Sequence, residues 1–231
     1  MKTVDFVITL GGDGTILQAI SRIGDSCTPI VGVNLGRLGF LASIDSENLN
    51  TAVDALIEGK FVIRDRKMLH LESNLPLFDD APFALNDFTL HKRDTSSMIT
   101  INTYVNGEFL TAYWADGLIV STPTGSTGYS LSCGGPIIMP NSGNIVITPV
   151  APHNLNVRPI ILSDSSVISF EIEARSNAFM CSLDSRFEVI SQKHQLAIRK
   201  CDFPTRLVNL NDYSYLGNIR RKMGWGLDAR N

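Results

Sequence analysis

The rhythm of apolar and polar positions changes near residue 61. Before it, Phe6-Val7-Ile8-Thr9-Leu10 is a short apolar run that predicts a strand, and Pro29-Ile30-Val31-Gly32-Val33-Asn34 predicts a second. Between them, Thr15–Ile23 carries apolar residues at helical spacing, with Thr15 expected as the N-cap. Asn48–Glu58 has the same spacing (Leu49, Val53, Leu56, Ile57), and Gly59 is expected to cap its C-terminus. Strands alternating with helices predict a parallel sheet. Two such strands are too few to complete one, so other segments must join them or a preceding piece is absent.

From Phe61 onward helical periodicity fades. Met98–Val105, Leu118–Val120, Ile145–Pro149, Val167–Ala174 and Leu196–Lys200 read as strands, separated by turn signals such as Asn106-Gly107 and Asn141-Ser142-Gly143. Tyr213–Gly224 returns to a helical pattern, with Tyr215, Leu216, Ile219 and Met223 on one side. This predicts two domains. Residues 1–65 with 213–231 form an α/β domain, and residues 66–212 form a mostly antiparallel β domain.

Composition narrows the classes. The 231 residues are 44% hydrophobic and 19% charged, as in a globular protein with a real core. The net charge of −3 supplies no basic field for nucleic acid. No apolar run approaches the roughly 20 residues of a membrane span, and the N-terminus does not read as a signal peptide. A cytoplasmic location is expected. Cys27, Cys133, Cys181 and Cys201 form no CxxC pair and read as reduced thiols. His70, His91, His153 and His194 lack ligand spacing. The clusters Arg64-Asp65-Arg66-Lys67 and Arg220-Arg221-Lys222 read as solvated faces.

Three stretches carry candidate chemistry. Gly11-Gly12-Asp13-Gly14-Thr15 joins the first strand to the first helix, where backbone amides and a helix N-terminus can meet a phosphate. The charge of Asp13 would repel that ligand. It therefore needs a task, such as holding a metal or taking a proton from a hydroxyl; the competing reading is a turn whose Asp caps the helix. Asp116-Gly117, then Thr122–Ser130, is a strand feeding a loop of hydroxyls and glycines, which can bond a sugar, an amide or a phosphate without charge. Tyr129 offers a stacking face there; a solvated polar turn is the alternative. Asn86-Asp87 could grip vicinal ribose hydroxyls from a strand end, or be a plain turn pair.

Together these motifs resemble the NAD kinase (ATP-NAD kinase) family. The likeness includes Gly134-Gly135-Pro136, the stretch Gly32–Leu41, Pro149–His153 with Arg158-Pro159, and Met223-Gly224-Trp225-Gly226. The glycine-aspartate loop is shared with diacylglycerol, sphingosine and phosphofructo-kinases; the second block is not.

The resemblance implies an α/β Rossmann-like N-terminal domain, a sandwich-like all-β C-terminal domain, and a terminal helix returning to the first. Relative to the family pattern, the front end lacks a strand and helix. It implies transfer of the γ-phosphoryl group of ATP, with Mg²⁺, to the adenosine 2′-hydroxyl of NAD. Asp13 would be the general base, with Gly14 lining the same pocket and Phe40 near an adenine. Asn86 and Asp87 would hold ribose and adenine, and Asp116 would face the nicotinamide side. Thr127, Gly128, Tyr129, Ser130, Leu131 and Ser132 would wrap the adenosine, and Ala151 would touch the nicotinamide end. Arg186, where many members have Gln, joins the NAD-binding set, and Asp184 matches an acidic position near the cleft. Trp114 and Ser185 also depart from the usual residues. A homodimer or homotetramer is expected. The alternatives are a lipid or sugar kinase using the same loop, and a catalytically silent NAD/NADP-binding protein.

Overall fold

The computed structural model describes residues 4–36, 39–42, 44–93, 97–173, 178–210 and 214–225. The expectations involving Arg37, Leu38, Ala174, Tyr213 and Gly226 lie outside these residues. In chain order the elements are β1 (Val7–Leu10), α1 (Asp13–Ile23), β2 (Ile30–Asn34), β3 (Ile44–Asp45), α2 (Leu49–Ile57), β4 (Phe61–Arg66), β5 (Leu69–Ser73), β6 (Phe83–Ala84), β7 (Asp87–Lys92), β8 (Ile99–Val105), β9 (Glu108–Ala115) and β10 (Gly117–Ser121). Then follow α3 (Tyr129–Ser132), β11 (Asn144–Val150), β12 (Ile160–Ser163), β13 (Ile168–Glu173), β14 (Phe179–Leu183), β15 (Arg186–Ile190), β16 (Leu196–Lys200), β17 (Thr205–Leu210) and α4 (Tyr215–Met223).

Two compact units result: Met1–Ala19, Thr28–Asp65 and Arg206–Asn231 in one, Ile20–Cys27 and Arg66–Thr205 in the other. The first is built on a five-stranded sheet of order β1-β2-β17-β4, with β3 also pairing β2. Strand β2 is buried along its whole length and runs parallel to β1, β3 and β17. The sheet is thus completed from the far end of the chain, by β17, which no local pattern announced. At Gly32 a Cβ would strike Ile16 and crowd the Ala42 backbone, so α1 packs directly on β2.

Helix α1 starts at Asp13, two residues earlier than expected. Thr15 therefore lies inside the first turn and is not the N-cap; its amide donates to the Gly12 carbonyl at 3.0 Å. The apolar stripe expected of α2 is also corrected. Ala52 is buried and Leu56 packs on the core, whereas Leu49, Val53 and Ile57 are exposed. Gly59, at φ 70°, ends that helix as expected, with the Lys60 amide reaching back to the Ala55 carbonyl at 2.8 Å.

The second unit is a sandwich of two six-stranded sheets, β12-β11-β10-β7-β14-β15 and β6-β5-β16-β13-β8-β9. Alternate residues of both sheets form one apolar core, with Phe88 of one stacked on Phe170 of the other at 5.7 Å. Asn106 and Gly107, both at positive φ, make the hairpin turn between β8 and β9. All four cysteines are free. No helix among the described residues is long and apolar enough to cross a membrane.

Candidate active site

In the first unit the site is built around one carboxylate. Asp13 opens α1, where the first-turn amides have no intrahelical acceptor. Among the described residues, no amide of α1 donates to the Asp13 side chain. It reaches the 39–42 segment, where the Phe40 amide donates to Oδ2 at 2.7 Å and the Leu41 and Ala42 amides donate to Oδ1 at 3.1 and 3.2 Å. A carboxylate accepts about four hydrogen bonds, two per oxygen, so the amides of the described residues leave one acceptor position, on Oδ2. Gly39 makes this clamp possible, because a Cβ there would overlap the carboxylate. Around Gly12 and Gly14 the space is open, so the loop backbone can be approached by a ligand.

A cation completes this group. The Lys222 ammonium lies over the Phe40 ring, 4.4 Å from its centroid. Burial pulls its pKa down, the charge of Asp13 pushes it up, and Arg221 adds a smaller downward effect. The expectation that 220–222 forms a solvated face therefore fails at Lys222, which is partly buried; Arg220 and Arg221 are exposed. It fails also in the other cluster, where Arg66 is buried and Lys67 pairs with Asp164. Sequence reasoning missed Lys222 because its partners are about 180 to 210 positions away; the one available signal was its place three residues after Ile219, on the edge of the buried stripe.

In the second unit the motif residues converge on the polar face of one sheet. Strand alternation puts Asp87, Thr89 and His91 of β7 on the side away from Phe88 and Leu90, opposite Ser121, Ile119 and Gly117 of β10. The hydroxyl loop folds over this face. The Asn86 carbonyl accepts from the Thr122 amide at 2.9 Å and the Ser121 hydroxyl at 3.2 Å, and Thr122 Oγ1 donates to the Leu85 carbonyl at 2.6 Å. Gly125 lies so close to Asn86 that a Cβ would collide with its backbone. Further along, Ser130 Oγ bonds Thr148 Oγ1 at 2.8 Å, and Tyr129 stacks on His91 with its hydroxyl 3.1 Å from Nε2. Ser130 is buried, Thr127 and Leu131 half-buried, and Gly128, Tyr129 and Ser132 exposed. Asp116 pairs with Lys92 at 2.6 Å, and its amide donates to the Val150 carbonyl, placing it beside Ala151. Ala151 is exposed at φ 44°, a left-handed conformation that costs an alanine about 1–2 kcal/mol.

A second carboxylate organises this face from below. Half-buried Asp184 accepts from three successive amides: Leu85 at 2.9 Å and Asp87 at 3.2 Å, with Asn86 between them at 2.7 Å. Its own amide donates to the Asp87 carbonyl at 2.9 Å. Burial, reinforced by the charge of Asp184, pushes the Asp87 carboxyl up to about 7. Arg186 sits behind this turn. Its guanidinium donates to the carbonyls of Ala81 and Phe83 and lies over the rings of Phe78 and Phe83. Arg186, expected in the NAD-binding set, is thus bonded to the backbone that leads into Asn86 and Asp87.

Comparison with known proteins adds the context for both groups. Residues 1–61 match the model of the ATP-NAD kinase N-terminal domain, and residues 85–210 match that of the ATP-NAD kinase C-terminal domain. The chain belongs to the ATP-NAD kinase family. The NAD kinase of Cytophaga hutchinsonii is 55% identical over 227 residues, covering 98% of this chain and 78% of that protein. The NAD kinase of Bacteroides fragilis strain ATCC 25285 is 45% identical over 226 residues, with the same coverage. Among solved structures, yeast NADH kinase complexed with NADH superposes with a TM-score of 0.88 at 28% identity, covering 97% of this chain and 68% of that one. An NAD kinase from Archaeoglobus fulgidus in complex with ATP gives 0.82 at 27% identity, covering 95% and 83%. Membership in the ATP-NAD kinase family disfavours the lipid- or sugar-kinase and silent-binder readings.

Proposed function

We propose that this ATP-NAD kinase phosphorylates the adenosine 2′-hydroxyl of NAD with ATP, using Asp13 as general base. The observation that carries this reading is the Asp13 carboxylate at the N-terminus of α1, held by the Phe40, Leu41 and Ala42 amides, which among the described residues leave one Oδ2 position to accept a proton. An alcohol is a weak nucleophile toward phosphate, so the reaction depends on alignment, charge neutralisation and a base at the hydroxyl. The 2′-oxygen bonds to the γ-phosphorus as the bond to the β,γ-bridging oxygen breaks. The proton passes to Asp13 and ADP leaves.

Each site residue takes a part in this scheme. Gly14, with Gly12, leaves room for phosphate beside the first turn of α1, and Phe40 borders the same space. Asn86 and Asp87 hold the ribose and adenine, locked in place by Asp184 and the 121–125 loop. Thr127, Gly128, Tyr129, Ser130, Leu131 and Ser132 enclose the adenosine, with Tyr129 as its stacking face. Asp116 and Ala151 address the nicotinamide end, and Arg186 supports the turn from behind.

No group of three His, Cys, Asp or Glu side chains that could hold a metal occurs among the described residues. The Mg²⁺ of this proposal is carried by the triphosphate, where it keeps its waters and takes few protein ligands. Bound there, it would neutralise charge on the phosphate oxygens. We also propose a cytoplasmic location and a homodimer or homotetramer, the latter because edge strand β15 exposes Phe187 and Val189.

The test is NADP formation by Asp13→Asn. We expect kcat to fall by about two to four orders of magnitude, with NAD affinity by calorimetry little changed. Turnover equal to wild type would remove Asp13 from the chemistry.

A further inference from the structure

We infer that Lys222 is a catalytic residue, its ammonium contacting the phosphoryl group in transfer. This rests on the reading of Asp13 as the base of the reaction. Four features of the first unit carry it. Lys222 is placed on Phe40, the residue whose amide makes the shortest bond to the Asp13 carboxylate. It feels the charge of Asp13 directly. Open space surrounds the Gly12 and Gly14 positions of the loop that Asp13 interrupts. Helix α1 begins at this loop, and the dipole at its N-terminus favours an anion there.

Three cations end α4, and helix electrostatics alone would account for cations at a C-terminus. It does not account for the difference among them. Arg221 is exposed, with its guanidinium on the Asn218 side chain at 2.6 Å, and Arg220 is exposed. Lys222 gives up part of its hydration to lie on a ring beside a carboxylate whose acceptor positions are mostly filled by amides. An ammonium so placed keeps donors free for a third group. Phosphoryl transfer spreads negative charge over the equatorial oxygens, and a fixed cation within reach lowers that barrier. Lys222 keeps its proton throughout; the proton lost by the 2′-hydroxyl goes to Asp13.

The experiment compares wild type with Lys222→Met, Lys222→Gln, Lys222→Arg and Arg220→Gln. With both neutral variants folded by circular dichroism, kcat should fall about 100-fold and the KM for ATP should rise. NAD affinity by calorimetry should stay within about twofold, with Lys222→Arg recovering most of the loss and Arg220→Gln unchanged. If Lys222→Met is unfolded, Lys222→Gln supplies the same comparison. A kcat within threefold of wild type in a neutral variant overturns the proposal. So does a shift of the acidic limb of the pH–rate profile with the ATP KM unmoved, because Lys222 would then act only through Asp13. An active Asp13→Asn would instead defeat the underlying reading, whatever Lys222 does.

Discussion

At the scale of single residues, two carboxylates perform the same structural act in different units. Asp13 and Asp184 each accept three successive backbone amides from a segment far along the chain. Such bonds are charge-assisted and strong. They fix the two places where the family motif needs a defined backbone. Asp87 carries the electrostatic cost of that arrangement, because its carboxyl, raised from 3.8 to about 7, stays protonated in the folded protein while the unfolded chain ionises. The folded state therefore binds more protons between these values. The contribution of Asp87 to stability is therefore greatest below pH about 4, falls as pH rises to about 7, and levels off above it. The shift of about three units bounds the loss at about 4 kcal/mol. Asp87→Asn should flatten the dependence of the melting temperature on pH and melt higher than wild type at pH 8. A steep, unchanged dependence would mean another group is responsible.

At the scale of elements, the Asp13, Phe40 and Lys222 group depends on a helix end, a tight segment and the terminal helix meeting correctly. Ser214 caps α4, accepting from the Gly217 amide at 3.1 Å, and Gly224 at φ 64° ends it just after Lys222. The 39–42 segment lies against Asp13 with no room for a side chain at Gly39. Gly39→Ala should push the carboxylate out of its amide cradle, costing about 1–3 kcal/mol. Its kcat should fall well beyond what the loss of folded protein explains, measured by NADP formation alongside thermal denaturation. Wild-type kcat in that variant would mean the clamp is not needed for turnover. The glycine-aspartate loop was legible because its meaning is local: strand, turn and helix follow one another. Gly39 and Lys222 were not singled out, because the need for a missing Cβ or for one half-buried lysine arises only when distant segments touch.

At the scale of the whole molecule, the family motifs divide between the units. Asp13, Gly14 and Phe40 belong to the α/β unit, and the motifs proposed to hold the dinucleotide belong to the sandwich. This division is why Asp13→Asn should separate turnover from NAD binding. Charge says little at this scale, but exposed apolar edges do: Phe187 and Val189 on β15 are a poor surface for a monomer to present to water. Multi-angle light scattering should give two or four times the chain mass, and Phe187→Glu should lower it; a wild-type monomer would refute self-association.

The sequence alone determined the alternation of strand and helix, the later turn to β structure, the hairpin at Asn106-Gly107 and the family motifs. All of these are short-range patterns of periodicity and turn chemistry. Only the tertiary structure decided that β17 enters the first sheet, that Asp13 binds the 40–42 amides, that Arg186 supports a turn, and that one of three neighbouring cations lies over the Phe40 ring. Those outcomes depend on which remote groups fill an acceptor, a gap or a charge, and a linear pattern of residue types does not specify that pairing.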